Sequence, residues 1–245
     1  MHAIVLDDSR LLDTWDRAAT LDRPWRELAL LESASGIPFE TLAHLSIGER
    51  DRMLLAVRIG TFGAHLECET TCPSCGVRLE LALDANLLVV PPRTVDPSEL
   101  EFTDDVWTIR FRLPDSTDLA ACAADGADGH NAADVLEHRC ISVVTADPDS
   151  TPSVLPSRLR ERVAERMSVL DPQADVSLNL TCAACRHAWQ APFDPGVFLL
   201  HEVDGYAGRL TAEVHRLARA YGWSETSILE MSPVRRRRYL SLLLQ

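Results

Sequence analysis

No lysine occurs in this chain. All 24 of its basic residues are arginine, a bias of the kind genome composition produces and from which no function is read. No uninterrupted apolar run approaches the ~20 residues that a bilayer-spanning helix needs, so no membrane partner is expected. The opening Met-His-Ala-Ile-Val-Leu-Asp-Asp has neither a basic leader nor a long apolar stretch, which argues against a signal peptide and for a cytoplasmic protein. A phosphate-binding glycine loop, a nucleophile elbow and a helical H-E-x-x-H are all missing, so the common catalytic signatures are excluded. Low-complexity tracts are absent too, and nothing repeats internally except one short cysteine pattern.

What is present is ordinary globular material. The 245 residues are 46% apolar and 25% charged, enough for one large domain or two small ones. The formal net charge of −13 is unevenly spread. Residues 1–204 carry 17 Arg against 34 acids, whereas residues 205–245 carry 7 Arg against 3 acids. An acidic body with a basic C-terminal element argues against nucleic-acid binding over the whole surface and leaves only the tail as a phosphate-contacting patch.

Seven cysteines in a reducing compartment point to metal ligation and buried thiols rather than disulfides. Four of them form two knuckles, Cys72-Pro-Ser-Cys75-Gly76 and Cys182-Ala-Ala-Cys185, each between strand-like runs. Cys72, Cys75, Cys182 and Cys185 together are the ligand set of a closed, tetrahedral structural site, for which zinc suits the soft thiolates best. Iron in a rubredoxin-like site uses the same knuckles and is the second choice. A redox disulfide needs a thioredoxin-type βαβ setting that is missing. The spacing is unusual: 106 residues separate Cys75 from Cys182, where a zinc ribbon ordinarily closes in roughly 15–20. A metal here would tie the front of the chain to the back, and closing a loop of ~100 residues is worth roughly 4–5 kcal/mol in the chain-entropy model.

Around the knuckles, Val77, Leu79, Leu81 and Leu83 alternate with polar residues, as do Val176, Leu178 and Leu180, which predicts half-buried strands. The first 60 residues read as helical, with Leu11, Leu12, Trp15 and Ala19, then Trp25, Leu28 and Leu31, at helical spacing. Ser46 and Glu49 predict a capping box before a helix with Met53, Leu54 and Val57 on one face. In the middle, Pro91-Pro92 and Asp96-Pro97 mark loop, 106–113 a strand, and Pro114-Asp115-Ser116 the opening of a helix. Gly126–Gly129 reads as a turn, 131–144 as helix or helix-to-strand, 145–156 as loop and 157–170 as helix. Tyr206, Leu210, Val214, Leu217 and Tyr221 predict a single-faced helix ended by Gly222. Ser224 caps a short helix, and Ser232-Pro233 starts the last.

The remaining candidates read blandly. Cys68 is a strand thiol rather than a fifth ligand, and Cys122 and Cys140 fall on apolar faces. His187 next to the second knuckle could replace a cysteine, but the four thiolates already suffice. His138, Asp134 and Cys140 carry no family signature of a nucleophile. The run Arg235, Arg236, Arg237 and Arg238 would face all sides of a helix, and reads either as a solvated terminal helix with one or two structural ion pairs or as a docking helix for an acidic protein surface or nucleic acid, with Val234, Tyr239 and the leucines as apolar anchors.

The chain resembles the T-even-type phage baseplate hub assembly family, whose relatives also occur in gene clusters for extracellular contractile injection systems. Three regions carry the resemblance: Ile47-Gly48-Glu49-Arg50-Asp51 leading through Phe62-Gly63 into Cys72–Gly76; Ile109–Pro114 followed by Ser116–Leu119; and Glu213–Ala218, Tyr221–Glu225 and Arg235–Leu240. It implies a non-enzymatic role in building a contractile-tail baseplate, with baseplate or hub and spike proteins as partners. The metal site is argued from the cysteines and not from the family. Taken together, the expectation is an α+β protein, mostly helical, with a split four-cysteine zinc ribbon and a structural Zn2+. Its parts are an N-terminal helical region (1–63), the ribbon (64–84 with 176–193), a mixed α/β insert (85–175) and a C-terminal helical region (194–245). Trp223, Tyr239 and Arg235–Arg238 are the expected partner contacts. The rival is a zinc-ribbon nucleic-acid-binding or transcription-associated protein, disfavoured by the neutral, small knuckle residues Pro73, Ser74, Ala183 and Ala184.

Overall fold

The computed structural model describes residues 5–104, 107–124, 129–145 and 155–243. Residues 126–128 of the expected turn, most of the expected 145–156 loop and Val106 lie outside those residues, and Gly129 opens a helix. The fold is α+β, as expected, with small antiparallel sheets among many helices.

Four helices come first: α1 (Asp8–Ala18), α2 (Trp25–Ser35), α3 (Phe39–Ala43) and α4 (Ile47–Phe62). Asp7 caps α1, and Gly36 ends α2 in the left-handed region. Ser46 accepts from the Glu49 N–H at 3.2 Å to cap α4. The other half of the expected box is replaced, because the Glu49 side chain turns to Arg52. The short α3 was not predicted. Met53, Leu54 and Val57 of α4 share one core, as expected, and a second apolar face not singled out in the sequence lies beside it. Leu54 and Val57 enter a core shared with α1, α2, α3 and α8 (Pro195–Tyr221), while Leu55 and Ile59 enter a second core under the hairpins.

Hairpin one is β1 (His65–Thr71) with β2 (Arg78–Asp84); hairpin two is β6 (Ser177–Thr181) with β7 (Ala188–Pro192). Leu66, Cys68 and Leu83 of the first meet Leu178 of the second over Phe193 and Phe198. Between them in sequence lies a three-stranded sheet, β3 (Glu101–Asp104), β4 (Trp107–Phe111) and β5 (Ile141–Thr145), in that order. The strand β3 was missed, being four residues behind a proline-rich loop. Helices α5 (Ser116–Ala124), α6 (Gly129–Cys140) and α7 (Ser157–Leu170) complete this part. Its core is Phe102, Ile109, Phe111, Leu159 and Val163.

The insert is held to the start of α4 by the Ile47 N–H, which donates to Pro114 O at 3.1 Å, and by a closer approach at Gly48. The Gly48 N–H donates to Asp171 Oδ2 at 2.8 Å, and a Cβ on residue 48 would lie 1.9 Å from Asp171 Oδ1. Only glycine permits that approach. Arg58, 4% exposed, grips both Glu202 oxygens at 2.8 and 2.9 Å and the His65 carbonyl, which ties the start of hairpin one to α8. Beyond Gly222, α9 (Glu225–Leu229) and α10 (Pro233–Leu242) fold back on α8 around Leu217, Ile228 and Leu240. Among the described residues, no helix is long and apolar enough to cross a membrane.

Candidate metal centre

The two knuckles repeat one backbone pattern. In the first, the Cys72 N–H donates to Val77 O and the Gly76 N–H to Cys72 O, both at 2.9 Å. In the second, the Cys182 N–H donates to His187 O and the Arg186 N–H to Cys182 O, again at 2.9 Å. The turn requires a left-handed residue four positions after its first cysteine: Gly76 has φ 72° and Arg186 has φ 60°. Each hairpin thus presents two thiols at its tip, one buried (Cys72, Cys182) and one exposed (Cys75, Cys185).

The tips meet. Cys72 Sγ lies 3.7 Å from Cys185 Sγ, Cys75 Sγ lies 3.7 Å from Cys182 Sγ, and all four sulfurs fall within 4.8 Å of one another. A disulfide would need about 2.05 Å. A tetrahedron of sulfurs about 2.3 Å from a central ion has edges of about 3.8 Å, which the two 3.7 Å contacts match. The donor set therefore fits a closed four-thiolate ion with no open coordination position.

Thiols this close cannot all ionise unaided. The Cys185 N–H pulls Cys182 down to about 7 against its burial, helped by the Ala184 N–H. The Val77 N–H also pulls on Cys75, but the neighbouring thiols Cys185, Cys182 and Cys72 outweigh it and push Cys75 up to about 12. A divalent cation would reverse that pressure and hold all four as thiolates.

The other thiols stand apart from this cluster. Cys68 sits among the apolar residues under the hairpins, and burial pushes its thiol up. His187 stacks on Trp189 with ring centroids 6.0 Å apart. Cys140 is buried and donates to Asp118 Oδ2 at 3.5 Å; burial and that carboxylate push it up to about 12, the opposite of an activated nucleophile.

The expected partner residues divide. Arg236 is 1% exposed and bonded to Asp8 and Glu213, which makes it an internal tie between α10, α1 and α8. Arg235, Arg237 and Arg238 are exposed. Trp223 and Tyr239 are half-buried in a ring cluster, Trp223 stacked on Tyr221 at 4.5 Å and Tyr239 edge-on to both. Sequence reading missed Arg216 and Arg219 on α8, exposed beside a groove against α10. Their signal was the basic excess of residues 205–245, which does not say which arginines stay free.

The chain matches the family described as T4 bacteriophage base plate protein over residues 30–195, about two thirds of its length. It belongs to that family. The matched stretch of this T4-type baseplate protein takes in α4, both cysteine knuckles and the insert, and ends at the first residue of α8. The segments of 213–240 that also carry the resemblance lie beyond it. Membership gives the chain a structural or assembly role in a phage baseplate, among other baseplate components. No curated protein and no solved structure matches it significantly.

Proposed function

We propose that this chain is a non-enzymatic assembly or structural factor in the baseplate of a phage-like contractile injection system, stapled by one structural Zn2+. The family match over 30–195 carries the baseplate part of this reading. Four converging sulfurs carry the metal part: they are closed to a substrate and fit a scaffold ion rather than a catalytic one. Zinc is preferred to iron because its filled d shell imposes no geometry and thiolates satisfy it fully. In this reading the ribbon (64–84 with 176–193) is a rigid joint, and the insert (85–175) and the helical regions (1–63 and 194–245) are the parts it holds in register. Hub or spike proteins are the partners, met through the C-terminal region by the exposed Arg235, Arg237 and Arg238 and the partly exposed Trp223 and Tyr239. Arg236 acts from beneath, by fixing α10 in place.

The deciding experiment is purification of the tagged chain from cells that assemble the particle, with mass spectrometry of what accompanies it. Baseplate, hub, spike or sheath proteins are the expected companions. Polymerase subunits or nucleic acid in their place would overturn the reading in favour of a nucleic-acid role for the ribbon.

A further inference from the structure

We infer that the groove between α8 and α10 is a docking site for an acidic protein segment that carries apolar anchors. The inference rests on the proposed role of the chain as a protein-contact component and names the chemistry of the contact.

The groove encloses about 390 Å3 and is lined by His215, Arg216, Arg219, Ala220, Leu240 and Leu243. Among the described residues, no carboxylate lines it. Arg216 and Arg219 stand one helical turn apart on the α8 rim, both exposed. Leu243, 40% exposed, supplies apolar surface with Leu240 below it. Glu213 of α8 is taken by Arg236 of α10.

The charge pattern selects the partner. Most arginines of residues 1–204 are paired with carboxylates, among them Arg23, Arg50, Arg58, Arg112 and Arg162. Among the described residues of 205–245, Arg236 alone has such a partner. Arg216, Arg219, Arg237 and Arg238 have none, and Arg235 only lies over the Tyr239 ring at 5.9 Å. Guanidinium groups that the described carboxylates leave unpaired have their complement on another molecule. Protein is favoured over nucleic acid because the groove floor is apolar and because Tyr221, Trp223 and Tyr239 pack on one another instead of standing free to stack on bases. A segment with leucines at helical spacing and glutamates between them would fill the floor and meet Arg216 and Arg219 on the α8 rim.

Two synthetic peptides of equal length and charge test this against the full chain, one of glutamate with glycine and one of glutamate with leucine at i, i+3, i+4 and i+7. Fluorescence anisotropy is expected to show the leucine peptide binding at least tenfold tighter. Arg216→Glu with Arg219→Glu should weaken both peptides at least tenfold, and Arg216→Gln with Arg219→Gln replaces that variant if it unfolds. Leu243→Ala should weaken the leucine peptide alone, and Arg17→Glu on α1 neither. Equal binding of the two peptides, or indifference to the α8 charges, would overturn the inference. So would duplex DNA competing more strongly through the same arginines, since the surface would then read phosphates. Baseplate association is judged separately by co-purification, so failure here would leave that reading standing.

Discussion

Asp118 has no exposed side-chain surface, yet it carries a charge that the surrounding bonds keep in place. Arg112 grips its two oxygens at 2.6 and 2.8 Å, Arg139 donates at 2.7 Å and the Asp115 N–H at 3.0 Å. Burial alone would raise the carboxyl, but these donors outweigh it and hold it well below the usual carboxylate range. A carboxyl lowered on folding contributes stability that is complete above its unfolded value of about 3.9 and is lost as the pH falls below it. Asp118→Asn should therefore cost about 2 kcal/mol at neutral pH, with the gap to the unmodified protein narrowing in acid. Urea unfolding of both proteins at pH 7, 4 and 2.5 measures this; a gap independent of pH would show that the charge contributes nothing. Sequence reading had no means of finding the site, because Arg112 follows β4, Asp118 lies in α5 and Arg139 in α6.

At the scale of elements, the two knuckles solve one geometric problem with different residues. Gly76 takes the left-handed conformation without cost, whereas Arg186 must hold a Cβ there. Arg186→Gly is expected to stabilise the protein by about 0.5–1 kcal/mol, the αL relief being partly offset by a freer unfolded chain. Thermal unfolding of the metal-loaded protein is the readout, and a lower melting temperature would contradict it. The strands beside the knuckles were legible because one face is buried and period-two alternation records that directly. The helix α4 was legible as a helix but not as a central one. Its Leu54 and Leu55 serve different cores, so its apolar residues spread round the axis and the single-stripe pattern fails.

At the scale of the whole molecule, the proposed metal joins segments 106 residues apart in sequence. Chelation, or Cys182→Ser, should remove one equivalent of metal and lower the melting temperature of the entire fold. The limiting loss is roughly 4–5 kcal/mol in the chain-entropy model. Metal analysis with calorimetry decides the point: loss of metal with unchanged melting would mean that α8 and its shared core hold the halves together without the staple. The same scale explains why the arginine run could not be resolved from sequence. Arg236 is internal because Asp8, 228 positions away, waits for it in the fold, while its neighbours on either side face outward.

The sequence by itself determined the features whose energies are local: the capped helix starts at Ser46, Ser224 and Ser232, the glycine stops, the alternating hairpins and the pairing of cysteines within each knuckle. The ligand count also pointed to a single joint between the knuckles. Only the tertiary structure decided which charges are buried, which helix serves two cores, why residue 48 must lack a side chain, and which arginines remain unpaired. Burial and ion pairing are set by partners distant in the chain, and a local pattern carries no record of those distances.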